Sequence, residues 1–197
     1  MTTKYMAIRD RRLRGGVPAR PHLAIYNTDA SIPLRSVFNH INHYAGSGKI
    51  HSLFILCHGF AGANKRLNMS LDAGGMGLQL GREGVRQSNV TQWAQIKNKV
   101  SNIVVYACAA ADTQPGNEGT DADGKYLMGA LALYTNADVY AADKIQWYYT
   151  HSDMPNGAFD FRDWDGNLLK FSATSGLSVT TNKAPVEFAQ VVKGTAQ

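Results

Sequence analysis

The sequence predicts an α/β fold, a three-layer sandwich with a mostly parallel central sheet and small additional β-hairpins. Short segments that are almost wholly apolar recur at residues 51–57, 102–107 and 137–142. Such segments are typical of parallel strands that are covered by helices on both faces. Helical periodicity appears between them, and strands alternating with helices at these lengths imply right-handed crossovers within one open sheet.

The elements before residue 60 begin with a predicted first strand at 22–26 (HLAIY), followed by an amphipathic helix over 31–45. The apolar residues of this helix recur at helical spacing: Leu34, Val37, Phe38 and Ile41. Gly46 is predicted to end the helix. Residues 51–57 (HSLFILC) are too apolar for a half-exposed strand and are therefore expected at the centre of the sheet.

The segment after this strand is rich in glycine, and residues 62–88 predict a small projecting hairpin. Asn89 is predicted to cap a helix whose apolar side carries Val90, Trp93, Ile96 and Val100. The remaining core elements follow in order: a strand at 102–107, a loop at 112–124, a helix at about 124–135 and a strand at 137–142.

The C-terminal part predicts a further strand at 145–149 (IQWYY) and a hairpin around the Asp165–Gly166 dipeptide. The predicted organisation is therefore a basic N-terminal arm over 1–21, an α/β core over 22–150, and a C-terminal hairpin and tail of the same domain over 151–197.

Composition excludes several classes of protein. The chain has 197 residues, of which 44% are hydrophobic, so it can bury a substantial core without metal or disulfide support. The sequence shows neither a membrane-spanning run nor a secretory signal, which predicts a cytoplasmic location or export by another route. The two cysteines form no disulfide framework.

The formal charge of +5 comes from the arm, where six basic residues face one acid, Asp10. A basic arm can contact nucleic acid or anionic lipid, but a solvated and partly ordered terminus is the preferred interpretation. We therefore expect no nucleic-acid partner.

Two reactive side chains each follow directly on an apolar strand. His58 comes after residues 51–57 and Cys108 after residues 102–107. Functional groups of open α/β sheets gather at the carboxyl ends of strands, and consecutive βαβ strands are usually neighbours, so we expect His58 and Cys108 to lie close together. An imidazole beside a thiol favours the thiolate and can protonate a leaving amine. The N–H groups of Gly59 and Cys108 could form an oxyanion hole.

Both residues also have a structural interpretation. Alone, a histidine at a strand end or a cysteine in an apolar strand is more often structural. Cys57 is the rival thiol, but it should point to the opposite face from His58 and pack with Leu53 and Ile55. The same alternation argues against zinc held by the two cysteines and His58, and a disulfide between the cysteines is not expected. We therefore predict neither a metal nor another cofactor.

The motifs ILCHG at 55–59 and VVYAC at 104–108 resemble the clan CD cysteine peptidases, which include caspases, clostripain, gingipains, legumain and self-processing toxin domains. The resemblance covers residues 22–150 and implies a caspase-like fold. It implies His58 as base, Cys108 as nucleophile, and the N–H groups of Gly59 and Cys108 as oxyanion hole. The segment ADVYAADKIQWYY (137–149) resembles the strand and substrate-facing segment that follow in the family.

The chain departs from the caspase subgroup at the nucleophile. Its YACAA lacks the glutamine before the alanine and the glycine two residues after the cysteine, so specificity for aspartate is not implied. Asp143 is the candidate for the first substrate subsite, where its carboxylate would select Arg or Lys. The alternative is a solvated acid at the strand end or a helix or turn cap.

The sequence thus predicts a cysteine endopeptidase that acts on a protein or peptide substrate through a His58–Cys108 dyad. The Arg-rich segment RRLRGG (11–16) is a conceivable self-cleavage site. The rival hypothesis is a catalytically silent binding or assembly module with the same fold. Phosphate-loop and Gly-x-Ser-x-Gly motifs are absent from the sequence, and GTDADG (119–124) is more typical of an active-site loop than of a calcium loop.

Overall fold

A computed structural model describes residues 3–60, 74–150 and 157–196. In chain order the strands of these residues are β1 (Tyr5–Asp10), β2 (Leu23–Thr28), β3 (Ile50–Leu56), β4 (His58–Gly59), β5 (Leu78–Gln79), β6 (Val100–Tyr106), β7 (Asp138–Ala142), β8 (Tyr149–Thr150), β9 (Phe159–Asp160), β10 (Leu168–Phe171) and β11 (Ser178–Thr181). Within the described residues, the main sheet has seven strands in the order β11-β10-β7-β6-β3-β1-β2, and two two-stranded sheets pair β4 with β5 and β8 with β9.

The main sheet is parallel through β2, β1, β3, β6 and β7 and antiparallel where β10 and β11 continue it. Strands β3 and β6 are buried almost throughout, as their apolar sequences require. The predicted α/β class with a mostly parallel sheet is confirmed.

Each face of the sheet has its own apolar cluster. One face packs against α1 (Leu34–Ala45), a 3₁₀ helix (Val90–Ile96) and α2 (Gly124–Thr135), and the other packs against α3 (Phe188–Lys193) and aromatic residues of the C-terminal part. Side chains alternate across each strand, so Leu53 and Ile55 join the first cluster and Phe54 and Leu56 the second. In the described parts of the chain, no helix has the length and apolar character needed to cross a membrane.

The N-terminal segment corrects the predicted arm. Residues 5–10 form β1, which lies between β3 and β2, and Met6 and Ile8 are fully buried in the helix-covered cluster. The burial of the short apolar run from Tyr5 to Ile8 therefore places this segment in the sheet, although basic residues flank it. Half of the six basic residues, Arg11, Arg12 and Arg14, follow in the turn after β1, and the half-buried Arg9 lies over the Phe159 ring at 5.8 Å.

Two local elements also differ from prediction. The helix after Asn89 is a short 3₁₀ helix, Val100 belongs to β6, and the Asn89 side chain bonds to Arg86 N and Gly84 O instead of capping the helix. The glycine-rich hairpin predicted over 62–88 falls partly on residues 61–73, outside the described residues. Within the described part, β5 pairs with β4.

The hairpin predicted around Asp165–Gly166 is wrong in its strand pairing. The flanking segments β9 and β10 do not pair with each other, because β9 pairs with β8 and β10 lies between β7 and β11. The turn itself exists, and Gly166 has φ +73°. Of the strand predicted at 145–149, the structure retains Tyr149 as the first residue of β8.

Candidate active site at the carboxyl edge of the sheet

The candidate site lies where β3 and β6 end side by side. The strands are parallel neighbours with Leu56 opposite Tyr106, and Cys57 N donates to Tyr106 O at 3.3 Å. His58 follows β3 by two residues and Cys108 follows β6 by two residues. The predicted adjacency of the two strand ends is confirmed.

Gly59 brings the two strand ends into backbone contact. A Cβ atom built on Gly59 would lie 1.9 Å from the carbonyl oxygen of Cys108 and 3.1 Å from its nitrogen. Only a residue without a side chain fits this approach. The sequence therefore requires glycine next to the histidine for a reason of packing as well as chemistry.

The N–H of Gly59 points away from the small sheet. Phe60 N donates to Gly77 O at 2.8 Å across β4 and β5, so Gly59 and Leu78 form the adjacent pair that exchanges no hydrogen bond. The Gly59 N–H therefore lies on the Cys108 side, and the backbone N–H groups of Gly59 and Cys108 each lower the pKa of the thiol in part. The two donors predicted for an oxyanion hole therefore belong to backbone segments that are in direct contact.

The imidazole of His58 is held from the β1 side. His58 is half-buried and paired with Gln79 in the small sheet, and its Nε2 lies 3.2 Å from the carbonyl oxygen of Arg12. A carbonyl oxygen only accepts hydrogen bonds, so we assign the proton of the neutral ring to Nε2. This assignment leaves the lone pair of Nδ1 for proton transfer.

The structure brings His58 and Cys108 to one edge without joining their side chains. Among the described residues, the His58 ring hydrogen-bonds to Arg12 O, and the Cys108 sulfur hydrogen-bonds to Gln146 O. Catalytic hydrogen bonds are often longer in a resting enzyme than in the complex with substrate.

The turn after β6, which carries Cys108, has an unusual backbone conformation at the next residue. Ala109 has φ +46°, a left-handed conformation that is uncommon and costly for alanine. Its N–H donates to Lys144 O at 2.8 Å and its carbonyl accepts from Gly75 N at 2.9 Å. The segment after β7 thus fixes the turn that carries the thiol.

The thiol of Cys108 is partly exposed, and burial raises its pKa above the ordinary value, although hydrogen bonds from the backbones of Gln146 and Gly59 lower it in part. Its Sγ lies 3.9 Å from Gln146 O. The resting thiol is therefore protonated near neutral pH, whereas the sequence predicted a thiolate favoured by the imidazole.

Cys57 occupies the opposite environment. It is 1% exposed and packs with Leu53 and Ile55 in the helix-covered cluster, as predicted. Burial raises the pKa of its thiol, and the nearby Asp10 raises it further. Cys57 is an inert core residue beside the reactive site.

Residues 144–147 form the wall next to Cys108. The buried Gln146 side chain donates to Phe161 O at 3.0 Å and to Asp163 O at 3.3 Å, which ties this segment to the C-terminal part. Trp147 remains 68% exposed beside it. The wall is joined to the C-terminal part through Gln146 and presents the Trp147 ring to solvent.

Asp143 serves the turn that precedes β10. Asn167 donates to both carboxylate oxygens, from its N–H at 2.8 Å and from Nδ2 at 2.9 Å. This arrangement is the turn-cap alternative given above. Both carboxylate oxygens of Asp143 accept hydrogen bonds from Asn167 in this structure. Selection of Arg or Lys by Asp143 therefore stays a prediction.

The loop over 112–124 is built around carboxylates that have internal partners. Asp123 caps α2 by accepting from Tyr126 N at 3.0 Å, and it also accepts from Thr113 Oγ1 and Gly119 N, each at 2.8 Å. Within residues 3–60, 74–150 and 157–196, His, Cys, Asp and Glu do not form groups of three that could hold a metal ion.

The sequence interpretation missed Asp10 and Arg12. Arg12 forms a two-point ion pair with the fully buried Asp10, with Nε–Oδ1 and Nη2–Oδ2 distances of 2.7 Å. The hydrogen bond to Asp10 raises the pKa of Arg12. The signal for this pair in the sequence is the apolar run 5–8, which predicts a short strand, with Asp10 two residues after it.

No protein-family model, curated protein or solved structure matches the chain. The function proposed below therefore follows from the residues and geometry of the site.

Alkylation should distinguish the two thiols. We expect iodoacetamide to modify Cys108 in the folded protein and Cys57 only after unfolding, because Cys57 is enclosed in the core. Since the pKa of Cys108 is raised, its thiolate forms at higher pH and the rate should still increase above about pH 8.5. Mass spectrometry of wild type and Cys57→Ser measures both effects, and a rate that levels off below neutrality would contradict the raised pKa.

Proposed function

We propose that the protein is a cysteine endopeptidase of the clan CD type, with a caspase-like α/β sandwich as its fold. In this proposal Cys108 is the nucleophile, His58 transfers the proton, and the N–H groups of Gly59 and Cys108 bind the oxyanion. The substrate is a protein or peptide, and the reaction needs no cofactor.

One observation carries the proposal: a partly exposed thiol and a half-buried imidazole follow neighbouring strands at the carboxyl edge of a mostly parallel sheet, where the backbones of Gly59 and Cys108 are in close contact. Donors that are fixed before the reaction stabilise negative charge at no cost of reorganisation. Cys57 shows the alternative in the same molecule, because it is enclosed in the helix-covered cluster and no substrate can reach it.

The proposed reaction proceeds in two steps. In the first, the sulfur of Cys108 bonds to the peptide carbonyl carbon, Nδ1 of His58 accepts the thiol proton, and the carbonyl oxygen becomes an oxyanion at the Gly59 and Cys108 N–H groups. The C–N bond then breaks as His58 gives the proton to the leaving amine. In the second, water hydrolyses the thioester, which releases the acid and restores the thiol.

The raised pKa of Cys108 makes proton transfer part of the first step. The thiol gives up its proton as the substrate approaches, and the hydrogen bond from Nε2 to the Arg12 carbonyl stabilises the imidazolium formed. The same hydrogen bond leaves Nδ1 free to reach the leaving nitrogen. His58 can therefore act without a permanent hydrogen bond to the sulfur.

The test is cleavage of a peptide library varied at the residue before the scissile bond, with wild type and Cys108→Ala compared. We expect turnover by wild type and none by Cys108→Ala, whereas Cys57→Ser should keep wild-type turnover as the matched control. Cleavage after Arg or Lys that is lost in Asp143→Asn would support the Asp143 subsite.

The rival function is a catalytically silent binding module. Absence of turnover by wild type across the whole library, in protein whose Cys108 thiol alkylates in the folded state and is therefore accessible, would favour that function and overturn the peptidase proposal.

A further inference from the structure

We infer that Asp10 and Arg12 form a positioning pair for His58, holding both the carbonyl that binds the imidazole and the strand that pairs with it. The inference rests on the proposed function for its catalytic meaning, but the placement of the ring can be measured independently of activity.

The first connection runs through the main chain of Arg12. Its carbonyl oxygen is the partner of His58 Nε2, so the ring follows the position of this peptide group. The Arg12 peptide group is fixed locally, because Arg12 N donates to Asp10 Oδ1 at 3.1 Å. The Arg12 guanidinium also donates two hydrogen bonds to the same carboxylate. Three hydrogen bonds from one residue to one buried acid leave the turn little freedom.

The second connection runs through Gly81. Arg12 Nη2 donates to Gly81 O at 2.8 Å, and Gly81 N donates to Asp10 Oδ2 at 2.9 Å. Gly81 lies two residues after β5, the strand that pairs with His58 and Gly59. The pair therefore holds two backbone segments that contact His58. One is the Arg12 carbonyl, which binds the ring, and the other is the segment after β5, the strand that pairs with His58.

Burial makes this arrangement specific. Asp10 is fully buried and the Arg12 side chain is 30% exposed, so the carboxylate depends on Arg12 and Gly81 as its partners. A planar guanidinium meets two oxygens at once, which an ammonium group cannot do. We therefore expect Lys at position 12 to keep the charge but hold the carbonyl less firmly.

The test combines spectroscopy of His58 with kinetics in wild type, Arg12→Gln, Arg12→Lys and Asp10→Asn. Nitrogen-15 NMR above the titration range of imidazole should show a single Nε2–H tautomer for wild-type His58. Arg12→Gln should show exchange between the two tautomers and a loss of about 10-fold to 100-fold in kcat with KM little changed, since misplacement of a catalytic group by about 1 Å costs this much. Arg12→Lys should show tautomer exchange and a kcat between those of wild type and Arg12→Gln.

Lys170→Met is the matched control, because it removes an ion pair with Asp138 of the same 2.7 Å length at the opposite end of the sheet. It should leave the His58 signals and kcat as in wild type. If Arg12→Gln fails to fold, Arg12→Lys and Asp10→Asn decide the matter.

A folded variant of the pair with the wild-type tautomer and kcat would overturn the inference, as would a wild-type ring that has no preferred tautomer. Should wild type lack peptidase activity, the proposed function fails, but the tautomer comparison still decides whether the pair positions His58.

Discussion

Replacement of His58 by alanine is expected to lower kcat/KM for peptide cleavage by about 10²-fold to 10⁴-fold, the usual contribution of a positioned general acid–base group. The loss should appear mainly in kcat, because the half-buried ring contacts Arg12 O in the described structure and is proposed to meet the substrate only through proton transfer. Steady-state kinetics with the best peptide from the library measure this loss.

His51→Ala is the matched control for this variant. His51 lies in β3, near the end of this strand that is remote from His58, where its ring contacts Ser52 Oγ at 2.9 Å and packs edge-on against Tyr5. Both substitutions remove one half-buried imidazole, so they should cost similar stability. Equal kinetic effects of the two variants would contradict a catalytic role for His58.

The strands and the neighbouring strand ends could be predicted because their signals are local or follow a general rule. The apolar runs that become β3 and β6 need two covered faces, and parallel neighbours end at the same edge of a sheet. These two facts are enough to bring His58 and Cys108 to one edge. The close approach of Gly59 is then a consequence of the same register.

The hydrogen bond that holds the His58 ring to Arg12 could not be predicted, because it depends on the order of strands in the sheet. Arg12 reaches His58 across 46 positions of sequence only because β1 lies beside β3. The wrong hairpin at Asp165–Gly166 has a similar cause. Its turn signal is local, but β10 finds its partners in β7 and β11, and competition among strands decides that pairing.

Replacement of Gly59 by alanine should damage both stability and catalysis. The added Cβ would overlap the carbonyl oxygen of Cys108, and neither backbone can move without separating the ends of β3 and β6. Overpacking of this kind costs about 1–3 kcal/mol. For a chain of this size, thermal unfolding should shift downward by about 2–4 °C for each kcal/mol lost.

Gly48→Ala is the control for the loss of glycine itself, because a Cβ there meets its nearest atom, Ala45 O, at an ordinary 3.7 Å. It should change stability by less than about 0.5 kcal/mol. The two variants therefore separate the close approach at Cys108 from a general effect of adding a methyl group.

The catalytic effect of Gly59→Ala should exceed what its loss of stability explains. Relieving the overlap moves the Gly59 N–H away from the sulfur, and removing one oxyanion donor costs about 10²-fold to 10³-fold in kcat. Kinetics measured well below the unfolding temperature isolate this effect, since nearly all molecules are then folded. A folded variant that keeps kcat within a few-fold of wild type would mean that the Gly59 N–H does not bind the oxyanion, and Cys108 would then need another donor from the wall at 144–147.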